Sequence, residues 1–180
     1  MRLLCFLGSF CLLITSAFAE VSESMNKRLY GLYEHALLLD FDRTVEAKLD
    51  TGAKTASLHA QGIKRFRRGG KSWVRFYLDT DKDKAQPIER PLLRTSRIKR
   101  RADDYSDEDE RSSSARPVIA LDVCLGNRTQ QIEVNLTDRS AFSYPFLIGS
   151  DALKQFSALI DPSLEHVVGA PSCHALTFAE

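Results

Sequence analysis

The chain has 180 residues, 43% of them hydrophobic, with 25 Lys and Arg against 24 Asp and Glu for a net charge of +1. A balance this close to zero lacks the basic excess that nucleic acid demands, so nucleic acid is removed from the partners to consider. The length suits one domain with a core of its own.

Residues 1–19 read as a signal peptide. Arg2 supplies the positive start, residues 3–14 an apolar run, and Ala17-Phe18-Ala19 a small-x-small cleavage site. The run is too short and wrongly flanked for a stable membrane span. The mature protein is expected to begin near Glu20 and to work in a bacterial periplasm or as a secreted protein. Cys5 and Cys11 would leave with the leader. Cys124 and Cys173 remain, and an oxidising compartment allows a disulfide between them, provided their Cα atoms come within about 4.4–6.8 Å. Two idle thiols are the alternative.

Residues 20–34 form a lead-in segment that reads as a short amphipathic helix, with Met25, Leu29, Leu32 and Tyr33 on one side. Strands at 37–41 and 44–49 follow, forming a hairpin around Asp42-Arg43. In the second, Val45, Ala47 and Leu49 alternate with Glu46 and Lys48 and run into Asp50-Thr51-Gly52-Ala53. Gly52 permits a sharp turn, and residues 55–58 lead away extended. A strand is expected over 72–79, a turn over 80–86, and a return over 87–94. Residues 96–115 run basic, then acidic, then Ser-rich, with few residues able to build a core; a mobile, solvated insertion is expected there.

Strands at 118–125 and 130–136 make a hairpin across Gly126-Asn127. In it Ile132, Val134 and Leu136 point one way, and Gln131, Glu133 and Asn135 the other. Pro145 opens the short apolar strand Phe146-Leu147-Ile148-Gly149. Ser150 can cap a helix whose apolar positions are Ala152, Leu153 and Phe156. A last strand at 158–160 precedes a tail over 163–180. Many short strands with almost no helix imply an all-β fold, a small barrel over residues 35–162.

Asp50-Thr51-Gly52 is the signature of an aspartic peptidase site, and Ile148-Gly149 with the following helix is the segment that buttresses it. Asp and Gly are also common turn residues, so the tripeptide alone is a weak signal. Peptide hydrolysis of this type needs two carboxylates around one water, sharing a proton. The chain carries one such motif, because Asp79-Thr80 is followed by Asp81. A twofold homodimer with Asp50 of each chain facing the other completes the site most economically. In that arrangement Thr51 would brace the pair across the twofold, and Gly52 would bind substrate backbone or support the turn. Trp73 and Phe76 either line a substrate groove or pack in the core. His59 is a structural histidine at the end of the outgoing strand, or a proton shuttle. His35, His166 and His174 show no metal spacing, and neither a His-Glu-x-x-His run nor a phosphate loop is present. No metal and no cofactor are expected.

The chain resembles the bacterial retropepsin-like aspartic endopeptidases, formerly labelled ATP-dependent zinc proteases, over residues 37–162. The resemblance rests on four pieces. They are Asp50-Thr51-Gly52-Ala53-Lys54-Thr55-Ala56-Ser57-Leu58-His59-Ala60, Lys71-Ser72-Trp73-Val74-Arg75-Phe76, Arg116-Pro117-Val118-Ile119 and Tyr144-Pro145-Phe146-Leu147-Ile148-Gly149. It implies a retropepsin-like barrel, catalysis by Asp50, and support from Thr51, Gly52, Ala53, Ile148 and Gly149. The family commonly has Arg after the late Gly, where this chain has Ser150-Asp151. Lys54 early and Asp151 late suggest a bridge with its charges exchanged. Two functions follow: an endopeptidase acting on a peptide or protein substrate as a homodimer, or a non-catalytic module that grips a peptide or envelope partner on the same barrel.

Overall fold

The computed structural model describes residues 26–78, 86–97 and 115–173. The expected signal peptide, nearly all of the turn at 80–86 and most of the insertion at 96–115 lie outside them. The described chain runs β1 (Arg28–Leu38), a 3₁₀ turn (Leu39–Phe41), β2 (Arg43–Asp50), β3 (Ala56–His59), β4 (Gln61–Arg68) and β5 (Lys71–Tyr77). It continues as β6 (Ile88–Pro91), β7 (Arg94–Arg97), β8 (Ala115–Leu125), β9 (Arg128–Thr137), β10 (Phe146–Gly149), helix α1 (Ser150–Gln155) and β11 (Ala158–Glu165).

The large sheet has the order β11-β1-β2-β10-β3-β9-β8-β7, and β1 also pairs with β8. That pairing, at Ala36↔Leu125 through Leu38↔Val123, closes six strands into a barrel. β11 and β7 lie outside the closure, and β4-β5-β6 form a separate sheet. The fold is thus an all-β barrel with one short helix among the described residues. Its core is filled by Leu38, Leu49, Leu58, Leu121, Phe146 and Phe156, each almost wholly removed from water.

The lead-in segment is strand rather than helix where it is described. β1 begins at Arg28, and Tyr30, Glu34, Ala36 and Leu38 are buried at the period of a strand. Leu29, placed on the apolar side of a helix by the sequence reading, is exposed. The strand period is hard to see in the sequence because a carboxylate stands at one of its buried positions. Glu34 belongs there because its oxygens accept the N–H groups of Gly31 (2.7 Å), Val167 (3.0 Å) and Val168 (3.4 Å). A buried carboxylate with several donors is satisfied, whereas one without them is costly. β11 extends to Glu165, through Pro162, and pairs parallel with β1. Proline is tolerated on such an edge strand. The chains approach so closely that a Cβ on Gly31 would lie 2.5 Å from the Leu164 carbonyl oxygen.

The expected hairpin at 37–49 forms, with β1 and β2 in register from Tyr33↔Lys48 to Leu38↔Arg43. The strand β4 was not legible in the sequence: it carries Lys64, Arg65, Arg67 and Arg68, and both faces are largely exposed. It pairs with β5 across Gly69-Gly70, where both residues have positive φ (55° and 75°). That is the backbone of a two-residue hairpin turn. β8 and β9 pair from Val118↔Asn135 to Leu125↔Arg128, as expected. Asn135 is the exception to the alternation, because it is buried rather than facing water.

Candidate active site

Asp50 is the last residue of β2, where buried Ala47 and Leu49 pin the strand to the core and leave the carboxylate half-exposed at its end. Its Oδ1 accepts the N–H of Gly52 at 3.0 Å and of Ala53 at 3.2 Å. The Ala53 N–H also reaches the Asp50 carbonyl at 3.3 Å. The carboxylate is therefore fixed by its own turn. Among the described residues, Oδ2 carries no hydrogen bond. Thr51 and Gly52 are exposed on the turn's outer side.

The late segment holds this turn in place. β10 lies between β2 and β3, parallel to the first and antiparallel to the second. Its Ile148 is buried against the core and its Gly149 sits opposite Asp50. A Cβ on Gly149 would fall 2.6 Å from the Thr55 carbonyl oxygen and 2.8 Å from the Thr55 nitrogen, so only glycine lets the turn pass over β10. The first N–H groups of α1 then bond to the turn: Ser150 to the Ala53 carbonyl at 2.7 Å and Asp151 to the Lys54 carbonyl at 3.0 Å. Ser150 does not cap the helix. The N-cap is Gly149, with no side-chain cap, and the carbonyls of the Asp50 turn take the donors that a cap would have taken.

The sequence reading is corrected at Lys54 and Asp151. Among the described residues no ion pair joins them; both are exposed, and the two segments are tied through backbone instead. Phe76 is wholly buried, edge-on to Phe41 at 6.2 Å, and so packs in the core and lines no groove. Trp73 is half-buried on the β4-β5-β6 sheet, 6.4 Å from Phe66 and beneath the Arg68 guanidinium at 4.8 Å. Cys124 and Cys173 are joined in a disulfide with Cα atoms 6.0 Å apart, which ties the tail to β8.

Asn135 was missed as a supporting residue. Its Nδ2 donates to the Ala56 carbonyl and to Thr55 Oγ1, and its Oδ1 accepts from Arg116. It thereby anchors the chain leaving the Asp50 turn, and burial is tolerable because its amide is satisfied. The signal that could have found it is a polar residue set between Val134 and Leu136 near the end of β9, facing Arg116 of a motif already singled out. His59 is buried, and its Nδ1 accepts the Arg139 N–H at 2.9 Å, which puts the imidazole proton on Nε2. Burial of the Arg139 guanidinium, with Arg116 nearby, pulls its pKa below the ordinary arginine value.

Residues 29–171 match the family described as RimB-like, "Retropepsin-like aspartic endopeptidase RimB". A crystal structure of the Legionella pneumophila protein Lpg0085, titled as having unknown function, is 36% identical with a TM-score of 0.63, over 78% of this chain and 97% of that one. A protein of Shewanella pealeana named "Probable alpha-L-glutamate ligase" is 34% identical over 69% of this chain and 26% of its own length. One of Desulfotalea psychrophila with the same name is 29% identical over 87% of this chain and 32% of its own. The chain thus spans about a third or less of these curated relatives.

Proposed function

We propose, for a chain that belongs to the RimB-like family of retropepsin-like aspartic endopeptidases, that it is an exported endopeptidase whose site is completed by pairing Asp50 with its copy in a twofold homodimer. The observation that carries this reading is the Asp50 turn itself. One carboxylate oxygen is locked by two backbone N–H groups, the other has no partner among the described residues, and Gly149 lies alongside. In the dimer, two such carboxyls would hold one water between them. Close carboxyls cannot both ionise readily, so they share a proton. The ionised one takes a proton from the water as it attacks; the protonated one hydrogen-bonds the scissile carbonyl oxygen. The turn's rigidity means that little reorganisation is required at the moment of reaction.

The β4–β5 hairpin is the best placed flap, since it stands apart from the barrel and turns at Gly69-Gly70. It exposes Lys64, Arg65, Arg67, Arg68, Lys71 and Arg75. Relatives named as glutamate ligases support the same direction, a peptide rich in carboxylates as substrate. The test is incubation of the protein with a denatured protein mixture and with a glutamate-rich peptide, from acidic to neutral pH, beside Asp50→Asn. Cleavage by the native chain and none by the variant is expected. Equal cleavage by both would move the chemistry elsewhere. Peptide binding without cleavage by either would identify a binding module.

A further inference from the structure

Three side chains distant in sequence meet on the outside of the barrel. His35 of β1 and Glu46 of β2 are register partners across the hairpin. His166 follows β11 directly. His35 Nδ1 lies 2.7 Å from Glu46 Oε1, and His166 Nε2 lies 2.9 Å from the same oxygen. The two imidazoles stack at 4.3 Å with their planes 9° apart. All three donor atoms lie within 4.8 Å of one another.

We propose that His35, Glu46 and His166 bind a divalent metal ion of the zinc class, which fastens the segment after β11 to the β1–β2 hairpin. Two imidazole nitrogens and a carboxylate oxygen are a donor set that zinc accepts. The spacing is close to what the ion needs. Bonds of about 2.0–2.1 Å put tetrahedral ligands about 3.3 Å apart, so the two contacts to Glu46 have to open by about half an ångström and the stacked imidazoles have to turn out of parallel for their in-plane lone pairs to meet on one ion. The side chains are between a third and two-fifths exposed, which leaves water free to complete the coordination.

The backbone already holds the donors in place. His166 has φ +52°, a conformation uncommon for a residue other than glycine. It is held there because its N–H bonds to the Tyr33 carbonyl at 2.8 Å while Val167 and Val168 bond to Glu34. Glu46 is four residues before Asp50 on one strand, roughly 13 Å away at strand rise. The site is therefore separate from the proposed dyad, and its test does not depend on peptidase activity.

The experiment uses the full chain, untagged and stripped with chelator. Calorimetric titration with zinc(II) should show saturable binding of one ion per chain, with magnesium(II) giving none. The thermal midpoint should rise with zinc and fall back with EDTA. Cobalt(II) should give visible absorption bands from imidazole and carboxylate ligation. His166→Ala, His166→Gln and Glu46→Gln should each weaken zinc binding by about tenfold or more and remove the cobalt bands. Absence of saturable zinc binding would overturn the proposal. So would unchanged affinity in a His35→Ala, His166→Ala double variant, since other residues would then hold the ion.

Discussion

Gly149→Ala is the sharpest probe of how the Asp50 turn is held. The added methyl would meet the Thr55 peptide at 2.6 Å from its oxygen, 2.7 Å from its carbon and 2.8 Å from its nitrogen. These are backbone atoms, so no side chain can swing away. The peptide must retreat by about 0.4 Å or more to reach even the closest tolerated contact, an overpacking cost of about 1–3 kcal/mol. It cannot retreat freely, because Ala53 and Lys54 accept the Ser150 and Asp151 N–H groups at 2.7 and 3.0 Å. Straining or losing one of those bonds adds about 1 kcal/mol. The total is about 2–4 kcal/mol, which in a domain of this size lowers the thermal midpoint by roughly 4–16 °C. Circular dichroism melts and urea unfolding with an unchanged m-value would measure it. Gly69→Ala serves as the contrast: nothing lies within 4 Å of its Cβ, and only its positive φ opposes the change. A Gly149→Ala protein that melts within about 2 °C of the native chain would refute the close approach, since such a shift corresponds to about 1 kcal/mol at most.

Three further outcomes are expected. Activity should fall on both sides of a pH optimum set by the carboxyl pair, and should drop more steeply than linearly on dilution through dimer dissociation; full specific activity from a strictly monomeric species would rule out the shared dyad. Cys173→Ser should cost about 4 kcal/mol in chemical denaturation, because the bridge closes a span of 49 residues; an unchanged urea midpoint would show that the tail is held without it. Hydrogen bonds from Arg75 and then Arg68 hold the Glu89 carboxyl below its ordinary pKa. Its stabilising contribution is present above the unfolded carboxyl pKa of about 4.3 and is lost as pH falls through the lower folded value. The difference in melting temperature between native protein and Glu89→Gln should therefore shrink from pH 6 to pH 3; a constant difference would show that the ion pairs do not act through protonation.

The site motif and the strands flanking it were legible in the chain because their signals are local. Apolar alternation into Asp50, the Phe146-to-Gly149 run and the turn at Gly126-Asn127 each depend on neighbours a few residues away. What the sequence could not disclose depends on partners far along the chain. The first part of β1, up to Glu34, read as helix because buried Glu34 masks its strand period, and two of its donors, Val167 and Val168, lie more than 130 residues on. Asn135 read as a surface residue because Thr55 and Ala56, which satisfy it, lie about 80 residues earlier, at the end of the Asp50 turn and the start of β3. Phe76 was open to two readings because alternation alone does not say which face of a strand meets the core; the packing of Phe41 decides it. The His35, Glu46 and His166 group has no spacing that a motif could catch, since two of its members meet through strand register and the third through a closing tail. Local periodicity is written in the order of residues, but the satisfaction of buried polar groups is a property of the closed barrel.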